Sequence, residues 1–449
     1  MNNNSKLNEY LIEYNELLSK VALEHKEKFG ALASPSLNKQ ETVTFLYQDL
    51  VNHINNRPEK IKKPNLILMH IKLIAKLGLM FRNLVITSLR YRVKSIPERC
   101  IYVNTWLLPR CVSGKTLKEE FFRELIDDIK IKEETIVGFQ ITSYDILEKL
   151  KKLEIPKNYI ISVGLLSILD ILVMIFDYMK NARITLKKEY LYKGKNVTGI
   201  INNSLEKDYF QLRSFPAFLK LYIAKKIKIF SPSIFLYVFE NQSLENAYLS
   251  EFIMTKTKTI GYQSSGFSFR FLNFFPSKID AETSLFPNKI LTVGDIFTKT
   301  LKNYGHYPIP IQTFAALRFN YLVSDGQYKV KKPVGKIYKR VLYAFACHEY
   351  QYEKIINDLV YVFGDIKIDI HLKFHPQYSL AVLKQKYCNL PENFYIIGDI
   401  NANNLQKKYD CVIFNDNSFG IESLINGVKS FEYDLEEIWD ERLIYKIIY

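Results

Sequence analysis

Hydrophobic and polar positions change period along the chain. Up to about residue 95 the pattern is helical: Leu7–Phe29 mixes charged and apolar residues, and Leu66–Ile86 is strongly apolar-periodic with interspersed Lys and Arg. From residue 100 short β-branched and aromatic runs take over. CIYVNTWL (100–107) and IVGFQI (136–141) read as buried strands, LKEEFFRELIDDIK (117–130) as an amphipathic helix, and Ser143 as the cap of a further helix. Residues 181–205 read as polar loop. Strand and helix then alternate: IFLYVFE (234–240), SLENAYLSEFIM (243–254), TIGYQ (259–263), KILTVGD (289–295) and IFTKTLKNYG (296–305), with an aperiodic loop at 266–277.

A basic segment with Pro and Gly, KVKKPVGK (329–336), reads as a linker. Beyond it five strands are predicted: 341–346, 367–374, 394–399, 411–416 and 429–433. Helices fall between them, at about 350–363, 379–388, 401–409 and 419–427. Such alternation requires crossover connections and a mostly parallel sheet. The expected division is a helical region over 1–95, a Rossmann-like domain over 96–330 and a second over 337–449. A ligand is then expected in a cleft between the two α/β halves, at the carboxyl ends of their strands.

The chain has 449 residues, ample for several cores. Its 48% hydrophobic and 24% charged content excludes disordered and fibrous classes. With 62 Lys+Arg against 47 Asp+Glu it carries +15, which favours anionic partners. No basic block or nucleic-acid motif is present, so no nucleic-acid partner is expected. The five cysteines are odd in number and lack CxxC spacing, which points to a reducing compartment without a disulfide framework or zinc site. The start, MNNNSKLNEY, lacks a signal-peptide pattern, and the expected location is cytoplasmic. Tyr159–Phe176 approaches the length of a bilayer span, but Asp170 within it is costly in lipid, so it reads as a buried helix.

Three segments carry candidate chemistry. In IDIHLKFHPQ (368–377) a strand places Asp369, His371, Lys373 and His375 on one face and Ile368, Ile370, Leu372 and Phe374 on the other. At about 3.3 Å per residue His371 and His375 are about 13 Å apart, too far to share a metal ion. Lys373 and His375 would instead face an anionic leaving group, with His375 and Pro376 ending the strand. In IFNDNSFGIESLINGV (413–428) a strand enters a polar turn and then a helix near Phe419. Asn417 or Ser418 can cap that helix, whose N-terminus suits a phosphate. Gly420 would admit a ligand close to the backbone, and Glu422 would bond a ribose hydroxyl or close a capping box. In VFENQSLENAYL (238–249) Glu240 ends a strand and is a candidate general base, with Glu245 in the next helix. Gln263 and Ser264, in GYQSSGF (261–267), could line the acceptor side. Gly114-Lys115-Thr116 lacks the first glycine of a P-loop, where Pro109 stands. GxGxxG, GxSxG and Asp-x-Asp patterns are missing too, so metal-independent chemistry without a cofactor is expected.

HLKFHP (371–376) followed by FNDNSFGIESLINGV (414–428) resembles the C-terminal domain of GT-B glycosyltransferases of bacterial surface polysaccharides. The likeness is greatest to those using CMP-activated acidic sugars such as sialic acid, Kdo and related nonulosonates. The interval 239–322 is similar to bacterial surface carbohydrate biosynthesis proteins. The resemblance spans about 234–433. It implies an α/β fold of GT-B type, two Rossmann-like domains facing a cleft, with a helical N-terminal region. It further implies transfer of an acidic sugar from a CMP donor to a surface glycan or lipid-linked acceptor. Separately, the +15 charge and the basic apolar stretch at 65–92 suggest contact with an anionic membrane leaflet, the alternative being a helix buried in the first domain. His375 and Pro376 fall on the donor-phosphate motif, and Asn417, Ser418 and Gly420 on the Ser-bearing turn. The acidic-acidic-Gly base motif has only Ser324-Asp325-Gly326 as a counterpart, beside the linker, so the base falls to Glu240. Gln263-Ser264 stands where relatives carry Gln-His. A CDP-glycerol glycerophosphotransferase, a UDP-sugar transferase or 2-epimerase of the same fold, and a non-enzymatic scaffold are the alternatives.

Overall fold

The structure is a computed structural model that describes residues 3–40, 46–54, 65–108, 111–113, 116–130, 133–141, 155–267, 271–317, 339–346, 349–375, 378–398, 400, 405–415 and 417–433. The chain divides into two compact units, residues 1–264 with 271–318, and residues 265–270 with 319–449.

The first unit holds a seven-stranded sheet: β1 (Ile101–Leu107), β2 (Thr135–Ile141), β3 (Tyr159–Ile161), β4 (Ile234–Val238), β5 (Lys258–Gln263), β6 (Lys289–Thr292) and β7 (Ile311–Thr313). Its order is β7-β6-β5-β4-β1-β2-β3, with every neighbouring pair parallel. The chain runs outward from β1 to β3, returns, and builds the other half from β4. The order therefore reverses between β1 and β4, where Ile101 lies level with Ile234. Val103, Leu107, Val137, Phe139, Leu236 and Val238 are buried in one apolar cluster against one face.

The second unit holds five parallel strands: β8 (Arg340–Ala344), β9 (Asp369–Lys373), β10 (Phe394–Ile397), β11 (Cys411–Phe414) and β12 (Lys429–Glu432). Their order is β10-β9-β8-β11-β12, so the reversal lies between β8 and β11. Period-two alternation separates its two cores. Val341, Tyr343, Ile370 and Leu372 pack on one face, Leu342, Ala344, Val412 and Phe414 on the other. Two Rossmann-like α/β sheets are thus present, each described on its own.

The helices before residue 95 are α1 (Asn3–Glu24), α2 (Phe29–Ala33), α3 (Leu46–Ile54) and α4 (Leu66–Arg90), and they belong to the first unit. The buried Lys39 ammonium pairs with Asp280, whose carboxylate also accepts from Ser19 Oγ at 2.9 Å and the Ser277 N–H at 2.8 Å. Burial works to raise the Asp280 carboxyl. The Lys39 charge and these donors outweigh it and hold the group below the usual range.

Several expected elements are redrawn. Tyr159–Phe176 is not one buried helix: β3 is followed by a 3-10 turn (Ser162–Leu165) and then α6 (Ile168–Asn181). Ser167 and Asp170 form a reciprocal capping box that starts α6 afresh, and Asp170 pairs with Lys226 at 2.9 Å. Among the described residues no helix is long and apolar enough to cross a membrane. In 117–130 only α5 (Glu124–Lys130) is helical. The Glu119 carboxylate accepts the N–H groups of Phe121, Phe122 and Arg123 and holds them in a loop. The span 181–205 contains a hairpin (Leu191–Tyr192 with Lys195–Asn196) and most of α7 (Thr198–Phe210), which α8 (Phe215–Ile229) follows; α9 (Ser243–Phe252), α10 (Lys278–Thr283) and α11 (Asp295–Tyr304) complete the described helices of the first unit. The helix after Ser143 and the 329–336 linker lie outside the described residues.

Removing one partner of a buried ion pair strands the other charge. Asp280→Ala is expected to cost about 3–5 kcal/mol of stability in urea unfolding. Because the Asp280 carboxyl is held below its ordinary range when folded, its contribution is present above the unfolded-state carboxyl pKa. It is lost as pH falls toward and through the folded value, so wild type and Asp280→Ala should converge in strongly acidic urea titrations.

Candidate functional site

In open parallel sheets the crevice for ligands lies outside the carboxyl ends of strands at the point where strand order reverses. In the second unit the loops after β8 and β11 flank that point, and β9 borders it. Asn415, at the end of β11, is buried and braces the crevice floor. Its Oδ1 accepts from Tyr343 Oη at 3.2 Å and from the Ala346 N–H at 3.3 Å, and its Nδ2 donates to Gln351 Oε1 at 3.0 Å.

Asn417 is the N-cap of α15 (Ser418–Ile425), in the series α12 (Glu349–Phe363), α13 (Leu380–Lys386), α14 (Leu405–Lys408) of this unit. Its Oδ1 accepts from the Phe419 N–H at 2.8 Å, and its Nδ2 donates to the Phe345 carbonyl at 2.8 Å. The cap therefore ties α15 to the end of β8. Lys373, the last residue of β9, is 6% exposed, and its Nζ sits 4.8 Å from the ring centroid of Phe419, in the first turn of α15. A cation and the positive end of a helix thus share one corner.

His375 is two residues past the end of β9, half-buried, with its carbonyl accepting from the Tyr378 N–H at 3.2 Å. Phe374 between them points into the opposite core, stacked on Phe345 at 4.4 Å. Lys373 is therefore turned to the other face of the sheet, where Phe419 packs. His371 on the same face is committed: its Nδ1 lies 2.9 Å from Tyr409 Oη and its ring packs on Tyr395. Burial, with Arg340 nearby, lowers its pKa. Pro376, Asp416 and Asp325 lie outside the described residues, and Ser418 is the first residue of α15.

Gly420 has a different reason from the one expected. A Cβ there would stand 2.2 Å from the Phe414 ring, so glycine lets α15 close onto β11 rather than admitting a ligand. Glu422 does not close a capping box, since the position three beyond the Asn417 cap is Gly420. The Glu422 carbonyl accepts from the Asn426 N–H at 3.1 Å.

In the first unit the reversal point is flanked by the ends of β1 and β4, and Glu240 stands two residues beyond β4. The loop 239–242 enters α9 (Ser243–Phe252) through Asn241, which has φ of 52°. Glu245 holds this loop: Oε1 accepts from the Glu240 N–H at 2.7 Å and Oε2 from the Asn241 N–H at 2.9 Å. Burial, with the Glu240 charge adding, pushes the Glu245 carboxyl well above its ordinary value against the pull of these N–H groups. Glu245 is thus a loop anchor rather than an acceptor-side group. The Glu240 carboxylate accepts from Gln242 Nε2 at 2.5 Å, and its carbonyl accepts from Asn273 Nδ2. Asn273 sits in a 3-10 turn (Leu272–Phe274) inside the stretch 266–277 that reads as aperiodic, and nothing in the sequence pattern marks it.

Gln263, fully buried at the end of β5, accepts from the Val293 N–H at 3.4 Å and braces β5 to β6. Ser264 Oγ is buried with no hydrogen-bond partner among the described residues. The described residues contain no group of three His, Cys, Asp or Glu placed to hold a metal ion.

No protein-family model matches the chain, and no curated protein matches it. Among solved structures it is similar to MurG of Acinetobacter baumannii, over 71% of this chain and 72% of that one, with 8% identity and a TM-score of 0.31. It is also similar to UDP-GlcNAc 2-epimerase of Neisseria meningitidis bound to UDP-GlcNAc, over 71% and 78%, with 9% identity and a TM-score of 0.40. Neither likeness, at those scores, bears on fold or function.

Two substitutions separate anchoring from chemistry. Glu245→Ala leaves two partly buried N–H groups without their acceptor and is expected to lower stability by about 2–4 kcal/mol in thermal or urea unfolding. Gly420→Ala must displace α15 or the Phe414 ring, and should cost about 1–3 kcal/mol by overpacking.

Proposed function

We propose that the protein is a glycosyltransferase of GT-B type that moves an acidic sugar from a CMP donor to a surface glycan or lipid-linked acceptor. The observation that carries this reading is the corner at the end of β9, where buried Lys373 lies over Phe419 in the first turn of the Asn417-capped helix. An ammonium and a helix N-terminus raise the local potential together, and a phosphate relieves both. His375 stands two residues past the same strand end, at the edge beside the reversal point, and has the chemistry to assist.

In this reading the bond between the anomeric carbon and the donor phosphate breaks, and the electron pair leaves with the CMP phosphate. Lys373, His375 and the α15 N–H groups stabilise the charge that grows there. Glu240 takes the proton of the acceptor hydroxyl as it attacks. Its position suits a base: the loop is fixed by Glu245, and Gln242 orients the carboxylate. The polar edge beside it includes Ser264, whose buried hydroxyl would gain a partner from an incoming hydroxyl or water. The acidic sugar and the cytidine base rest on the sequence resemblance. Location at the inner face of the cytoplasmic membrane belongs to the same reading.

A thermal-shift series with CMP, CDP, UDP and GDP tests the donor. CMP should raise the midpoint most, and EDTA should leave that shift unchanged. A clear UDP preference would favour the UDP-sugar transferase or 2-epimerase alternative, and strict Mg²⁺ dependence would remove the metal-independent mechanism.

Two variants then divide the roles. His375→Ala should lower turnover on the order of 10²–10³ and weaken CMP binding, with the unfolding midpoint retained. Glu240→Gln should lower turnover by roughly 10²–10⁴ while CMP binding stays as in wild type. Wild-type transfer rates in both would place the chemistry elsewhere.

A further inference from the structure

A large apolar surface lies in the first unit, on two helices that carry none of the candidate site residues. On α6 the inward positions are Ile171, Met174 and Tyr178, all buried. Leu169, Leu172, Val173 and Phe176 follow the i, i+3, i+4, i+7 spacing of the opposite face. They point away from the core: Leu169 is 68% and Phe176 72% exposed. A helix with one buried apolar face is ordinary, whereas a second apolar face left in water costs solvation on every residue.

The neighbouring helix repeats the arrangement. α4 buries Leu73, Leu77 and Leu84 and exposes Ile67, Ile71 and Ile74, then Ile86 and Leu89. α4 and α6 pack together, and the end of one meets the start of the other. Ser88 Oγ donates to the Leu166 carbonyl, and the Val93 N–H donates to the Gly164 carbonyl at 2.9 Å. The exposed stripe of α4, on a helix of 25 residues and about 37 Å, thus runs up to that of α6.

Charge selects the occupant. α4 carries Lys72, Lys76, Arg82 and Arg90 and no acidic residue. The two acids of α6 are engaged toward the protein: Asp170 pairs with Lys226, and Asp177 accepts from Tyr222 Oη at 3.2 Å. A second copy docking through this face would bring like charges together. An anionic bilayer surface satisfies both features, with apolar side chains entering the acyl boundary and the cations meeting lipid phosphates.

We propose that α4 and α6 together form a platform that seats the protein on an anionic membrane surface, with the outer face of α6 as its apolar centre. The inference is independent of the donor chemistry, because its test contains no sugar nucleotide. The full chain is sedimented with vesicles of phosphatidylcholine alone and of phosphatidylcholine mixed with phosphatidylglycerol. Wild type should bind the anionic vesicles more tightly, and lose binding as salt rises.

Leu169→Glu with Phe176→Glu, and separately Ile71→Glu with Ile74→Glu, should each weaken vesicle binding by about tenfold or more. Lys72→Glu with Lys76→Glu should remove the preference for the anionic lipid. All are exposed positions, so the unfolding midpoint should hold; if a Glu pair lowers it, Gln at the same positions carries the test. Equal binding to both vesicles by wild type, or wild-type binding by the α6 pair, overturns the proposal. So does a wild-type dimer in sedimentation velocity that the α6 pair dissolves while neither form binds vesicles.

Discussion

Four carboxylates buried in the first unit hold its loops by accepting backbone N–H groups, and the rest of that unit depends on this constraint. Glu119 gathers Phe121, Phe122 and Arg123, and Asp208 takes the Ser36 N–H together with Ser34 Oγ. Glu245 takes Glu240 and Asn241, and Asp280 takes Ser277. Loops leave backbone donors that no ladder satisfies, and a buried carboxylate meets one to three of them from one point. The arrangement is stiffest at Glu119 and Glu245, where both oxygens of the carboxylate accept. It is also what gives Glu240 a fixed position: its backbone is held by Glu245, its side chain by Gln242 and its carbonyl by Asn273.

Period and alternation made most of the α/β framework legible. Strands buried on both faces stand out as short β-branched and aromatic runs, and β8, β9 and β11 fall where the pattern put them, shortened at their ends. What periodicity could not convey was where side chains overrule it. Residues 117–130 have a helical pattern, yet Glu119 diverts the first turn. Tyr159–Phe176 is apolar for most of its length, yet Ser167 and Asp170 restart the chain in a new helix. Spatial order is also absent from a linear pattern: that Glu240 follows a strand at the reversal point emerges only from the sheet order.

The candidate site divides along the same line. Residues at strand ends, Lys373, His375 and Glu240, could be chosen from sequence because a strand end beside a polar turn is a local signal. Their supporting partners could not, because Asn415, Gln351 and Asn273 act over long sequence separations. Glu245 and Glu240 look alike in sequence, and only burial and two short N–H contacts distinguish an anchor from a group able to meet a substrate. The outer face of α6 was hidden for a related reason. A mostly apolar run reads as buried, and only the packing shows that one side of the helix is exposed.

Gly420 has a consequence for how relatives of this chain would be compared. The close approach of α15 to the Phe414 ring excludes any side chain there, whatever the nucleotide. An alignment would then record an invariant glycine beside a phosphate-suited helix end even in homologues that bind a different donor, or none. Invariance at that column would trace the distance between a helix and a strand, and donor identity would have to be sought in columns such as 373 and 375, whose side chains bring charge and hydrogen-bonding groups to the strand end.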